Sequence, residues 1–131
     1  MNIIALLETL VNGLLETEEN FFSNPRDIYA LEKATKATTD AVAAMFMSNV
    51  LSSMDEKIYN CSYREGRYNV QRKDKRTLVS SVGDITFDST YYKRLTDEGG
   101  YVCLLEEMMG LSKHERFTEE AEVMMLTEAL K

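Results

Sequence analysis

Two periods divide the chain. Up to about Tyr59 apolar residues recur every three to four positions, and beyond Cys61 they begin to alternate. Residues 2–17 read as an amphipathic helix, with Ile3, Leu7, Leu10, Val11, Leu14 and Leu15 on one stripe to be buried. Gly13 weakens it by roughly 1 kcal/mol relative to alanine. The run ETEENFFSNP then breaks the pattern, and Phe21 and Phe22 are expected to anchor the connection. Asn24 as cap and Pro25 at the first helical position predict a second helix over 25–59, which contains neither glycine nor proline. It carries one stripe of Ile28, Leu31, Val42, Met45 and Phe46, and another of small residues, Ala30, Ala34, Ala37, Ala41 and Ala44. At ~1.5 Å per residue it spans about 50 Å, so it either bends near Ser52–Ser53 or packs against a second copy.

The alternating part predicts an antiparallel meander of three or four strands. REGRYNVQR is a candidate first strand, followed by Thr77–Val82 and Ile85–Arg94 around a turn at Val82–Gly83–Asp84. On the last of these, Ile85, Phe87, Ser89 and Tyr91 share one face, and Thr86, Asp88, Thr90 and Tyr92 the other. TDEGG at 96–100 predicts a second turn, and YVCLL a short final strand. EEMMG is a helical turn, and Thr118 caps a last helix whose apolar face is Ala121, Met124, Met125 and Leu130. The expected fold is α+β, one domain over 1–131: two N-terminal helices, the second long, the small meander, and a C-terminal helix. Phe87, Tyr91, Val102 and Leu104 are expected on the sheet's buried side, against Ile28, Leu31, Val42, Met45 and Phe46; a slip of one residue would expose the opposite set. The last helix reaches Lys131 without a cap, which suggests a chain that once continued.

Composition narrows the function classes. With 131 residues, 44% apolar and 28% charged, the chain is globular in character. Its longest apolar-leaning run, AVAAMFMSNVL, is about half the ~20 residues a membrane span needs, and Glu8 interrupts a start that lacks a basic region. The expectation is a cytoplasmic protein without membrane contact. Cys61 and Cys103 form no paired motif and read as reduced thiols; with His114 as the sole histidine, a four-ligand zinc site is not in view. No nucleophile–base pair and no phosphate-cradling glycine loop is present, so no catalytic residue and no cofactor are expected.

Charge changes the picture most. The net charge of -7 divides into -5 over residues 1–60, +4 over 61–95 and -6 over 96–131. The positive excess centres on RKDKRTLVSSVGDITFDSTYYKR, residues 72–94. Arg72, Lys73, Lys75 and Arg76 enter this hairpin and Lys93 and Arg94 leave it, so they should meet at its open end beside Tyr91 and Tyr92. Cations among aromatics suit phosphates and bases; they also suit an edge strand guarded against aggregation.

The run RKDKRTLVSSVGDITFDSTYYK resembles the N-terminal region of the ISLre-type bacterial insertion-sequence transposases, long filed as an uncharacterised protein family. That family's pattern is matched by Lys75, Arg76, Thr77, Leu78, Gly83, Asp84, Ile85, Phe87, Tyr91 and Tyr92. It continues through Tyr101, Leu105, Glu106, Gly110 and Leu111 to His114, Arg116 and Thr118, and LEKATKATTDAVA also looks like the family's helix. The likeness covers roughly residues 25–131. Family members are several times this length, and their presumed acidic catalytic residues lie beyond the matched region, so the resemblance implies an isolated N-terminal module without the catalytic part. It implies two roles: weak, salt-dependent binding of transposon-end DNA through Arg72, Lys73, Lys75, Arg76, Tyr92, Lys93 and Arg94, or assembly, as a homodimer through the helix 25–59. Four to five phosphate contacts by the six cations would give a log K against log salt slope of about -4 for duplex DNA. Lys75 and Arg76 are expected at a solvated edge, where reversal to glutamate leaves the fold intact.

Overall fold

A computed structural model describes residues 2–96 and 99–131. In chain order the elements are α1 (Ile3–Ser23), α2 (Ile28–Tyr59), a single 3-10 turn (Ser62–Arg64), β1 (Tyr68–Ser80), β2 (Gly83–Arg94), β3 (Tyr101–Cys103), α3 (Leu104–Met108) and α4 (Glu119–Ala129). The fold is α+β, with a three-stranded antiparallel sheet in the order β1-β2-β3.

The helical pair departs from expectation at its joint. α1 does not stop at residue 17, because ETEEN is a solvated helical face. Thr17 turns inward and donates its hydroxyl to the Gly13 carbonyl at 2.8 Å, and the helix runs on to Ser23. Asn24 closes α1, its N–H donating to the Phe21 carbonyl. The cap of α2 is Asp27, whose carboxylate accepts from the Ala30 N–H at 2.9 Å, and Pro25 lies in the turn between the helices. Gly13 faces Thr38, and a Cβ there would sit 2.5 Å from the Thr38 methyl. The glycine that weakens α1 locally is what lets α2 approach.

Residues 64–72 and 77–82, expected as two strands, belong largely to one. β1 runs unbroken for 13 residues, with an irregularity at Gln71 between Val70 and Arg72. Ser81–Val82 form the tight turn, with Ser80 paired to Gly83, whose φ of +117° is one a side chain would resist. YVCLL is strand only to Cys103; Leu104 already begins α3. Of the second turn, Asp97 and Glu98 lie outside the described residues, and the Gly99 N–H donates to the Thr96 carbonyl. Thr118 caps α4 as expected, accepting from the Ala121 N–H at 3.2 Å, but Met124, Met125 and Leu130 stand exposed and only Ala121 is buried.

The core gathers Leu78, Ile85, Phe87 and Leu105, with Ala44, Met47, Leu51, Ile58 and Leu111 packed against it. Tyr91, Val102 and Leu104 are only half-buried. The helix face on the sheet is therefore not the expected one: Ile28 and Phe46 are exposed, and Leu31 and Val42 flank α1 instead. The reason is polar. On the side of β2 away from β1, no strand among the described residues borders positions 86–90, and α2 takes that place. The N–H groups of Thr86, Asp88 and Thr90 donate to Ser48 Oγ (3.1 Å), Ser52 Oγ (3.0 Å) and Asp55 Oδ1 (2.9 Å). Three side chains at helical spacing satisfy a sheet edge whose donors would otherwise be unpaired. Ser52 serves this ladder inside a continuous helix, and no break occurs there.

Candidate functional site

The hairpin brings its cations together only in part. Register places Arg72 opposite Tyr91, Lys73 opposite Thr90, Lys75 opposite Asp88 and Arg76 opposite Phe87. Alternation then divides them: Arg72 and Arg76 share the face of Phe87 and Tyr91, and Lys73 and Lys75 take the other. Lys93 and Arg94 lie opposite Asn69 and Tyr68, at the far end.

Most of these charges are matched. Lys75 meets Asp88 at 3.0 Å on the surface, and Arg94 meets Glu107 at 3.6 Å. Arg76 is not at a solvated edge: its side chain is 13% exposed and bonds Glu106 at 2.8 Å. It also donates to the carbonyls of Ser112 and Glu115 at 2.7 and 2.6 Å. Arg76 thus ties the segment after α3 to the sheet, and reversing its charge would cost fold as well as affinity. Among the described residues Lys73 and Lys93 have no ion-pair partner, and both are exposed.

Tyr92 cannot stack on a base, because it is wholly buried. It packs edge-on to Tyr68 and under the Arg64 guanidinium, 5.7 Å from the ring centre. Arg64 is fixed in turn by the carbonyls of Tyr59 and Tyr68 at 2.8 and 3.1 Å. Burial, and then the nearby Asp55 carboxylate, push the Tyr92 phenol above its ordinary range. Its parity on the strand, one position from Tyr91, was the wrong one for a surface aromatic.

The surface aromatic pair is Tyr91 with Tyr101, which the hairpin pattern alone did not single out. Their rings stack with centroids 5.4 Å apart and 7° between planes, and Arg72 lies 4.4 Å over Tyr91. Asp74 holds Arg72 through its Nε alone, at 3.0 and 2.9 Å to the two carboxylate oxygens, and raises its pKa. The ion pair therefore anchors the guanidinium through Nε, and its Nη groups make no hydrogen bond among the described residues. Tyr101 begins β3 beside Lys93, so an aromatic just after the Gly99–Gly100 turn was the available signal. Behind the stack a cleft of about 430 Å³ is lined by Arg72, Tyr91, Tyr101, Cys103, Glu106 and Lys113 among others. Burial pushes the Cys103 thiol up, so it stays protonated at neutral pH and is a poor nucleophile.

A second surface lies at the opposite end. The stripe of α1 marked for burial is largely in solvent: Ile3, Leu7, Val11, Leu14 and Leu15 are all exposed, joined by Ile4. Only Leu6 and Thr17 of this helix are buried. Leu7 and Leu10 line an open apolar groove of about 420 Å³ with Val42 and Phe46 of α2. No helix among the described residues is long and apolar enough to cross a membrane.

The chain has relatives in Caldanaerobacter subterraneus subsp. tengcongensis, each named as a UPF0236 protein. One is 26% identical over 117 residues, covering 89% of this chain and 25% of the relative. Two others are 27% identical over 127 residues, covering 92% of this chain and 27% of each relative. The chain thus spans about a quarter of the length of the curated relatives it matches. No solved structure matches it. Residues 22–131, from the end of α1 through the sheet, the cleft and α4, match one family over most of the chain, and the protein belongs to the uncharacterised protein family UPF0236.

Proposed function

We propose that this chain is a non-catalytic assembly module of a transposase-like protein, and that it associates with a second copy through α1 and the adjoining face of α2. The observation that carries this reading is the apolar stripe Ile3, Leu7, Val11, Leu14 and Leu15 standing in solvent on a regular helix. Exposed apolar residues are ordinary when scattered, whereas a continuous stripe beside an apolar groove marks an interaction surface. The surface also has a definite charge. Residues 1–23 hold four glutamates and no lysine or arginine, so two copies repel each other at low salt. Self-association is expected to strengthen as salt screens that repulsion, opposite in sign to the salt dependence of DNA binding.

Sedimentation equilibrium from 1 to 100 µM, at low and high salt, tests this reading. The expected result is a dimer favoured by salt, converted to monomer by Leu7→Gln with Val11→Gln. At concentrations and salt where wild type is itself monomeric, thermal stability of the variant should differ from it by no more than about 0.5 kcal/mol, as for surface substitutions generally, and the wild-type excess at higher concentration should follow the dimer. A wild-type monomer at every salt and concentration rules the module out.

A second reading, contact with transposon DNA at the open end of the hairpin, is favoured by the exposed Lys73 and Lys93, which have no ion-pair partner among the described residues, on the strands that carry Arg72 and Tyr91. With four of the six hairpin cations in ion pairs, two to three phosphate contacts are expected. The salt slope on duplex DNA falls to about -2 in place of -4.

A further inference from the structure

Duplex DNA fits the hairpin end poorly. Its base faces are hidden inside the stack, so an exposed aromatic pair has nothing in a duplex to lie against. The hairpin cations are divided between two faces rather than arrayed along one groove. An unpaired strand offers what a duplex does not, a free base plane next to a phosphate.

We infer that the cleft beside Tyr91 and Tyr101 receives an unpaired nucleotide. Its base stacks on Tyr101, and neighbouring phosphates along the same strand meet the guanidinium of Arg72 and the ammonium of Lys113. Tyr101 is 54% exposed, although its ring is held parallel to Tyr91. Arg72 is held by Asp74 with its guanidinium 4.4 Å over Tyr91, so the platform and its cation are set before a ligand arrives and little ordering is left to be done on binding. The cleft, at about 430 Å³, has the size of a small-ligand site. Inside it Glu106 is neutralised by Arg76 at 2.8 Å and accepts from the Ser89 hydroxyl at 3.2 Å. Asp74, which also lines the cleft, is matched by Arg72, and Lys113 has no ion-pair partner among the described residues. The excess of positive charge along the lining suits a phosphate.

The inference rests on the nucleic-acid reading of the hairpin end, and one set of titrations separates the two. The probes are a fluorescein-labelled 12-nucleotide single strand and the same sequence as a blunt duplex, followed by anisotropy at low salt. With no tryptophan and seven tyrosines in the chain, quenching of tyrosine emission is a second readout. The single strand should bind at least tenfold more tightly than the duplex. Tyr101→Ala should lower single-strand affinity roughly tenfold, the usual effect of removing one stacked aromatic, and Tyr101→Phe should retain it. Neither should alter duplex binding, and Tyr101→Leu serves if the alanine variant loses its thermal transition. Equal affinity for both forms, untouched at Tyr101 but weakened by Lys73→Glu with Lys93→Glu, overturns the nucleotide cleft and keeps the hairpin reading. No binding of either form overturns both.

Discussion

The two halves of α2 are one continuous helix with opposite surroundings. Its first half meets α1 across small residues, with Gly13 against Thr38, and leaves Ile28 and Tyr29 in solvent. Its second half closes the sheet, and there the deepest side chain is a carboxylate, Asp55, beside Met47, Leu51 and Ile58. One half is an apolar surface without a cover, and the other a cover whose working contacts are polar. Apolar period thus shows which residues gain from burial, not whether a partner is at hand to bury them. The sheet edge was decided by donors that needed acceptors, a demand no hydrophobic pattern expresses.

Removing the acceptors should break that contrast most sharply. Asp55→Ala leaves the Thr90 N–H and hydroxyl, now 2.9 and 2.6 Å from the carboxylate, buried and unpaired. The expected loss is roughly 3 kcal/mol in urea unfolding, against about 1 kcal/mol each for Ser48→Ala and Ser52→Ala, which remove single neutral acceptors. Similar losses at all three positions would mean that the edge is held by packing and not by its carboxylate. In the other half, Gly13→Ala should cost a net ~1 kcal/mol, since the crowding against Thr38 exceeds the gain in helix propensity. Adding Thr38→Ala should return that loss; if it does not, the close approach of the helices is not what Gly13 provides.

Much of this architecture was legible beforehand. The change of period near residue 60, the hairpin turn beside Gly83 and the Thr118 cap are local signals, and each element formed where its signal lay. Assignments that depended on distant neighbours went astray. Asn24 and Asp27 are both good caps, and the choice fell to Asp27 because α1 runs on to Ser23. Ser48, Ser52 and Asp55 recur every three to four residues, but a helix-spaced polar row reads as solvated until a strand edge is known to lie beside it. At the candidate site, Arg72, Lys73 and Lys93 were placed at the surface correctly, whereas Arg76 and Tyr92 went inside. Alternation names two faces without saying which segment, here 111–117 or Arg64, returns to cover one of them.

Tyr92 supplies the smallest effect and a sign to check. Among the described residues its hydroxyl has no hydrogen-bond partner, so Tyr92→Phe should stabilise the fold by up to ~1 kcal/mol at neutral pH. The buried phenol is held above its ordinary value, so the folded state keeps a proton that the unfolded chain releases. Its contribution is complete below about pH 10, the ordinary tyrosine value, and is lost as pH rises through the raised folded value. Wild type should therefore lose thermal stability from about pH 10 upward more steeply than Tyr92→Phe. Parallel decline of the two would assign the alkaline loss to other groups.

The sheet's two edges differ in one further respect. β2 is shut off along 86–90 by α2 and continued only by the three residues of β3. β1 is bridged on its outer side at Val79, by the Arg116 carbonyl and the Thr118 N–H, its Tyr68 carbonyl accepts from Arg64, and among the described residues no strand lies along the rest of that edge. A sheet with one open edge can be extended once. Two copies meeting β1 to β1 about a two-fold axis would leave a helix or a stub on each flank, so edge pairing in this molecule ends at a closed pair and offers no template for a growing fibre.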